Sequence, residues 1–587
     1  MPDPSTSAPF DPVRLSESLG RVAERSQSLV AEFLRQTPDF SPAGMADASA
    51  IGAAFVELTT RMMADPTSIA TATMDAWARY ATAWQQGPSN GAEPARADRR
   101  FKDQAWADGA IFEFIKQTYL ISADSILSSI RGVKGLDRGT AHKVDFYARQ
   151  FVDAMAPSNF ISTNPEVLRA TVETGGENLL RGLSNLIEDM TRGKGRLAIS
   201  MTDMAAFRLG DNLAATPGKV VGRNDLMELI QYEPTTPEVR KRPLLIIPPW
   251  INKFYILDLG PQKSFIKWAV AQGHTVFVIS WVNPDARLAA KTFEDYMREG
   301  PLAALTLIEQ ATGEREINAV GYCLGGTLLA STLAWLVAKD DDRIKSATYL
   351  VTLVDFTDAG DMAVFIDEQQ LASLEKRMDA RGYLEADDMA ASFNMLRAND
   401  LIWSFVVNNY LLGKEPVPFD LLYWNADATR MPAAMHSFYL RNMYHENRLV
   451  VPGGISLAGA PIDLRLIETP TFILSSMEDH IAPWRSTYAA TQIYSGPVEF
   501  ALAASGHIAG VVSPPGSKYG HWRNDRVPEQ PQAWFDQATA QESSWWPGWD
   551  RWISAFAGGS VAPRIPGSGA LSALGDAPGS YVRVRAS

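Results

Sequence analysis

The chain of 587 residues carries one cysteine, Cys323, within Gly321-Tyr322-Cys323-Leu324-Gly325. Glycines two residues to either side of a thiol, after the apolar run 317–323 and before the Ala- and Leu-rich run 326–341, match the pattern of a nucleophile elbow. In that turn a strand bends sharply into a helix and lifts the central side chain out of the backbone. Small flanking residues are required because strand and helix pass close to one another, and the helix N-terminus favours a thiolate over a thiol. The competing role for a lone cysteine is that of a small buried apolar residue. The deciding question is whether an acid and a histidine follow in the right order.

They do. Asp479 follows the apolar run 469–476 in SSMEDHIAPW, and His507 follows the run 498–505 in SGHIAG. Nucleophile, acid and base would each stand after a successive strand, which is the arrangement that brings three distant residues together at one sheet edge. The other histidines are His142, His274, His436, His445, His480 and His521. His480 is the nearest rival, but neighbours on a tight turn seldom point at one another, and His521 comes late in a polar loop. Asp355 is the substitute acid, and Asp258 is another loop carboxylate. A tetrahedral oxyanion needs two donors: the N–H of Leu324, just after the thiol, and an N–H after the run 242–250, at Trp250 or Ile251, with Ile251 taken as the donor. The alternative for PPWINKFYILD is a purely structural proline-rich turn.

The elements that must position these residues are legible as a pattern. β-rich runs at 242–250, 274–282, 317–323, 346–355, 469–476 and 498–505 alternate with helical stretches, including one that ends at Gly313. Such alternation predicts an α/β domain with a mostly parallel, doubly wound sheet. Before it, 15–34, 67–86 and 112–130 space their apolar residues at three and four, so residues 1–200 read as a helical N-terminal domain and 201–587 as the catalytic domain. The alternation breaks at about 358–466, which reads as a cap inserted over the carboxyl end of the sheet, where ligands bind in such folds. From about Gly558 the Gly-, Ala- and Ser-rich sequence predicts a loosely ordered tail.

Composition narrows the function. A net charge of −13 argues against a general nucleic-acid binder. One cysteine excludes an internal disulfide framework and a multi-thiolate metal site, consistent with the cytoplasm. No basic-then-apolar leader opens the chain and no run of about 18 apolar residues occurs, so neither secretion nor a membrane span is expected. No metal-ligand spacing or glycine-rich nucleotide fingerprint appears, and no cofactor is expected. Of the 16 Trp, several cluster in WWPGWDRW, and most are expected in the core.

With these pieces placed, the chain resembles the polyhydroxyalkanoate synthases, most closely the single-subunit class I type. The resemblance rests on DRRFKDQAW, PSNFISTNPE, PPWINKFYILDL, VISWVNPD, GYCLGGTLLA, DLLYWNADATRMPAAMHSFYLRN, EDHIAPW, SGHIAGVVSPP and SWWPGWDRW. It implies an α/β-hydrolase fold with a cap insertion behind a helical N-terminal domain, and the catalytic trio Cys323, Asp479 and His507. It also implies an (R)-3-hydroxyacyl-CoA substrate, such as 3-hydroxybutyryl-CoA, a growing polyester, association with polymer granules and an active homodimer. The rival readings are a cysteine hydrolase acting as a thioesterase, and a non-catalytic granule-surface protein.

Overall fold

A computed structural model describes residues 48–65, 71, 73–75, 77–82 and 98–586. The helix expected over 15–34 lies outside them. The chain divides into two compact units, one ending at Asp203 and including Ala391–Pro418, the other made of Met204–Ala390 and Phe419–Ser587.

The first unit is helical. Its principal helices are Ala48–Ala64, Ala110–Arg131, Arg138–Ala154, Pro165–Glu173 and Glu177–Arg192. Their starts follow from sequence: the Asp137 carboxylate accepts from the Thr140 N–H, and Asn164 accepts from Glu166 and Val167 with Pro165 in the first turn. Segment 391–418, read from sequence as part of the insertion, groups with this unit. Asn178 Nδ2 donates to the Leu411 carbonyl at 2.7 Å, and the Tyr410 hydroxyl donates to buried Asp189 at 2.6 Å. Gly182 makes the approach possible, since a Cβ there would stand 1.8 Å from the Tyr410 oxygen.

The second unit is built on one sheet of eleven strands. In chain order these are β1 (Gly218–Arg223), β2 (Met227–Tyr232), β3 (Leu244–Ile247), β4 (Val276–Trp281), β5 (Ile317–Tyr322), β6 (Ile344–Leu350), β7 (Thr471–Ser476), β8 (Val498–Ala503), β9 (His521–Arg523), β10 (Thr539–Gln541) and β11 (Gly575–Asp576). Their spatial order is β10-β9-β8-β7-β6-β5-β3-β4-β2-β1-β11. The run β8 through β4 is parallel and corresponds to the six strands expected from sequence. These strands are almost wholly buried, their apolar residues joined by small polar ones such as Ser346, Thr348 and Ser475, as in a sheet covered on both faces. The flanking strands are antiparallel, which suits the ends of an otherwise parallel sheet.

One expectation is met here and one is revised. The aromatic run is core: Trp545, Trp546 and Trp549 are buried, and Trp549 Nε1 donates to Thr348 Oγ1 at 2.9 Å. The tail after Gly558 is also fastened. β11 pairs with β1, and the N–H groups of Ser580 and Tyr581 donate at 2.8 and 3.0 Å to Glu228, a carboxylate fully buried in β2 that also pairs with Arg223. A composition that reads as loose is held by contacts hundreds of residues away in sequence.

Candidate active site

β5 ends at Tyr322, and the helix Leu324–Val337 begins two residues later, leaving Cys323 to make the whole turn. Its backbone sits at φ 51°, ψ −118°, outside the regions open to ordinary residues, a conformation costing about 1–3 kcal/mol wherever it is held. The glycines explain how it is held. A Cβ on Gly325 would stand 2.0 Å from the Ile247 oxygen, one on Gly321 would stand 2.4 Å from Gly326 Cα, and one on Gly326 would stand 2.0 Å from Thr352 Oγ1. The Cys323 N–H donates to the Leu350 carbonyl at 2.9 Å, and its own carbonyl accepts from Gly326 N–H at 2.9 Å. The thiol is thus fixed above β5, where β3 and β6 flank it.

The acid and the histidine rise from two strands on the far side of β6. Asp479 lies just beyond β7 and His507 just beyond β8. Two bonds lash these loops together: Met477 N–H to the Ala503 carbonyl and Glu478 N–H to the Ser505 carbonyl, both at 2.9 Å. The Asp479 side chain is wholly buried. Its Oδ1 accepts the N–H groups of Ile481 and Ala482 at 2.9 Å each, and its Oδ2 meets His507 Nδ1 at 2.6 Å. Nδ1 is therefore committed to the carboxylate. Burial alone would push the imidazole's pKa down. The neighbouring Asp479 and Cys323, Asp479 foremost, outweigh it and hold His507 well above the ordinary histidine value. The Tyr322 ring stacks on the imidazole, with centroids 5.9 Å apart.

The rival residues are engaged elsewhere. Asp355 accepts from Thr357 N–H and from Asn447 Nδ2. Asp258 accepts from Thr216, and its carboxyl pKa is raised by burial. His521 Nδ1 bonds the Ser543 carbonyl at 2.7 Å, His274 Nε2 meets Asp550 at 2.9 Å, and His445 lies 3.7 Å from Glu368. The His480 carbonyl accepts from Asp361 N–H. His142 belongs to the helical unit.

Leu324 opens its helix, so its N–H has no acceptor within the helix. The loop after β3 is held by its carbonyls. Pro248 accepts from Trp281 Nε1, Trp250 from Thr429 Oγ1, Ile251 from Thr429 N–H and Lys253 from Trp424 Nε1. Anchoring on the carbonyl side fixes the orientation of the peptide units around Ile251.

Sequence reasoning missed the partners of this loop. Lys253 is buried, and its Nζ donates at 2.7 Å both to Asp427 Oδ1 and to the Val582 carbonyl, while the Tyr255 hydroxyl donates to Asp427 Oδ2 at 2.8 Å. A Lys inside NKFYILD carries no local signal of burial. Also missed were Tyr439 and Tyr444 of the insertion. Tyr439 is buried and Tyr444 partly buried, and their phenol pKa values are raised by burial, for Tyr439 further by Tyr444 and Cys323, and for Tyr444 by Cys323 and Asp479. With Phe356 they form an aromatic wall beside the thiol. Among the described residues no cluster of His, Cys, Asp and Glu has metal-binding geometry, and no helix is long and apolar enough to cross a membrane.

Comparison with known proteins identifies the family. Residues 97–269 match the family described as the poly-beta-hydroxybutyrate polymerase (PhaC) N-terminus, and residues 245–514 match the alpha/beta hydrolase fold. The chain is 47% identical to the poly(3-hydroxyalkanoate) polymerase subunit PhaC of Rhizobium meliloti, across 100% of this chain and 98% of that protein. It is 54% identical to the poly(3-hydroxyalkanoate) polymerase of Methylorubrum extorquens, covering 84% of this chain and 82% of that one. Identity to the subunit PhaC of Cupriavidus necator is 43%, covering 86% and 87%.

Proposed function

The chain belongs to the poly(3-hydroxyalkanoate) polymerase family, and we propose that it works through a thioester on Cys323, taking (R)-3-hydroxyacyl-CoA, foremost 3-hydroxybutyryl-CoA, as its class I resemblance suggests. The observation that carries this reading is the buried Asp479 carboxylate bonded to His507, with the Cys323 thiol beside that pair on a strained elbow.

In the first half-reaction the Cys323 sulfur attacks the thioester carbonyl. A new C–S bond forms, the bond to the CoA sulfur breaks, and His507 hands its proton to the departing thiolate. The raised pKa of His507 suits this step, because the imidazole can take the proton from the attacking thiol before passing it to the leaving group. The oxyanion would be met by the N–H groups of Leu324 and Ile251. Exchange of one thioester for another keeps the acyl group activated.

In the second half-reaction the 3-hydroxyl of another acyl group attacks the thioester on Cys323. A C–O bond forms, the C–S bond breaks, and the hydroxyl proton passes to His507. Asp479 is the positioning group: one oxygen is taken by two backbone N–H groups, the other by Nδ1, and the side chain has no exposed surface for an incoming hydroxyl. His507 therefore serves both half-reactions. The enzyme is proposed to act as a cytoplasmic homodimer on the surface of its own polymer. Supporting a polymer-facing role, helices Ala110–Arg131 and Arg138–Ala154 expose Ile111, Phe114, Phe151 and Met155 to solvent.

Purified protein supplied with 3-hydroxybutyryl-CoA tests the reading, scoring free CoA, insoluble polymer and free acid. CoA with polymer is the expected result. CoA with free acid alone would make the site a thioesterase, and neither product would remove Cys323 chemistry altogether.

A further inference from the structure

Outside the thiol's surroundings the second unit contains a cavity of about 640 Å³, lined among others by Arg208, Asp211, Tyr423, Asp576, Arg583 and Arg585. That volume is in the range of small-molecule sites. Its charge runs against the chain, which is acidic overall. Asp576 is already paired with Lys219 on β1, leaving Asp211 as the only lining carboxylate not in an ion pair. None of the three arginines forms an ion pair with a carboxylate among the described residues. Arg583 donates to the carbonyls of Leu209 and Gly579 at 3.0 and 3.1 Å, and Arg585 donates to the Tyr423 hydroxyl with its guanidinium 5.1 Å over that ring. Arginine forks held in place by neutral partners, rather than by carboxylates, keep their charge available to an anion.

The position of the cavity matters as much as its charge. Val582, one residue before Arg583, gives its carbonyl to Lys253 Nζ, two residues beyond Ile251 in the loop beside the thiol. Val584, between Arg583 and Arg585, accepts from Asn283 Nδ2 at 3.4 Å, and Asn283 lies two residues beyond the carboxyl end of β4. The same end of the parallel sheet carries Cys323. The arginines thus flank the loop on the side away from the acid and the histidine.

We infer that this arginine-lined cavity binds the phosphorylated nucleotide end of the CoA thioester, holding the polyanionic part of the substrate while its acyl end reaches Cys323. The inference rests on the proposed reaction and adds a recognition site to it. The two phosphates of the pyrophosphate and the phosphate on the ribose are the groups that three guanidiniums would take, with the uncharged pantetheine arm passing along the loop. CoA would then leave this cavity once its thiolate has been protonated, and a fresh thioester would replace it.

Arg208→Gln with Arg585→Gln tests this without touching the carbonyl bonds of Arg583. Steady-state kinetics are compared for 3-hydroxybutyryl-CoA and for the same acyl group on pantetheine, which lacks the nucleotide. The expected result is a KM for the CoA thioester raised about tenfold or more, as loss of charge-assisted phosphate contacts implies, with kcat within about twofold. The pantetheine substrate should be poor in the parent and unchanged by the substitutions, which also controls for folding. Equal changes with both substrates, or no change with either, would overturn the assignment. If the parent releases CoA from no 3-hydroxyacyl thioester, the proposed reaction fails, and calorimetry with free CoA against pantetheine then judges the cavity by itself. Binding that is tighter for CoA and lost in the double variant supports it; indifference to the phosphates or to the arginines sinks it.

Discussion

Replacing Lys253 by Met asks how the loop beside the thiol is held. The Lys253 and Asp427 side chains are 2% and 0% exposed, so the ion pair lies in the interior. Met keeps most of the volume but removes two charge-assisted bonds, one to Asp427 and one to Val582. Asp427 is left as a buried carboxylate with only the Tyr255 hydroxyl, and removing one partner of such a pair costs about 3–5 kcal/mol. The Val582 carbonyl loses this donor too, at about 1–3 kcal/mol, although neighbouring effects do not add fully.

Asp427→Leu should cost a similar amount, because it strands the ammonium. The pair Lys253→Met, Asp427→Leu removes both charges, leaving a Tyr255 hydroxyl and the Val582 carbonyl without these partners, for about 2 kcal/mol. The double variant should therefore be more stable than either single one, read from urea midpoints of the tryptophan fluorescence transition. pH offers a second reading of the same pair. Burial lowers the Lys253 pKa from 10.5, and the attraction of Asp427 offsets only part of that. Between the lowered value and 10.5 the unfolded chain binds more protons at this residue, so its contribution to stability rises with pH through that window and the Met variant lacks the rise. Single variants costing under about 1 kcal/mol, or simple additivity in the double, would refute the argument that this pair fixes the loop.

Gly325→Ala would drive a methyl to 2.0 Å from the Ile247 oxygen and 2.7 Å from the Pro248 oxygen, both backbone atoms, so a cost at or above the ~3 kcal/mol upper range of overpacking is expected in thermal unfolding, and an unchanged midpoint would contradict the close approach. Asp479→Asn should place an amide against His507 Nδ1 and favour the wrong tautomer, lowering acylation and elongation together by about 10³-fold or more; trapped acyl-enzyme with only elongation blocked would instead give Asp479 a direct role on the incoming hydroxyl. His436 has both ring nitrogens buried without partners and a pKa pushed down by burial to about 4, so the unfolded state binds the extra proton between pH 6.5 and 4 and stability is lost as the pH drops through that window. At pH 5 the loss is about 2 kcal/mol, and His436→Leu should show a correspondingly flatter decline from pH 7.5 to 5 in thermal melts.

What could be read from sequence was local in sequence. The elbow announces itself because one backbone crossing demands glycine at 321, 325 and 326, and the six central strands because a sheet covered on both faces must be mostly apolar. Asp479 and His507 were legible because each follows such a strand. β1 and β2 were not, since β2 buries Glu228 and Gln231, and besides Arg223 of β1 these polar positions are satisfied by Ser580, Tyr581 and the Arg564 carbonyl far along the chain. The tail misread for the same reason: glycine and alanine predict looseness unless a distant carboxylate is waiting for their N–H groups. Segment 391–418 was placed in the insertion because helical periodicity says nothing about which unit a helix joins.

This division bears on what separates a polymerase from a hydrolase with the same three residues. A thiol on an elbow with an acid and a histidine after later strands is supplied by the α/β core, and nothing in it selects a hydroxyl over water. The groups that sequence did not reveal are the ones able to make that choice. Tyr439, Tyr444 and Phe356 place aromatic surface next to Cys323, where a bound acyl chain can displace water. Lys253, Asp427, Thr429 and Val582 meanwhile tie the loop of Ile251 to the insertion and the C-terminal segment. In the proposed reaction the α/β core supplies the chemistry, while segments added to it decide the fate of the acyl group.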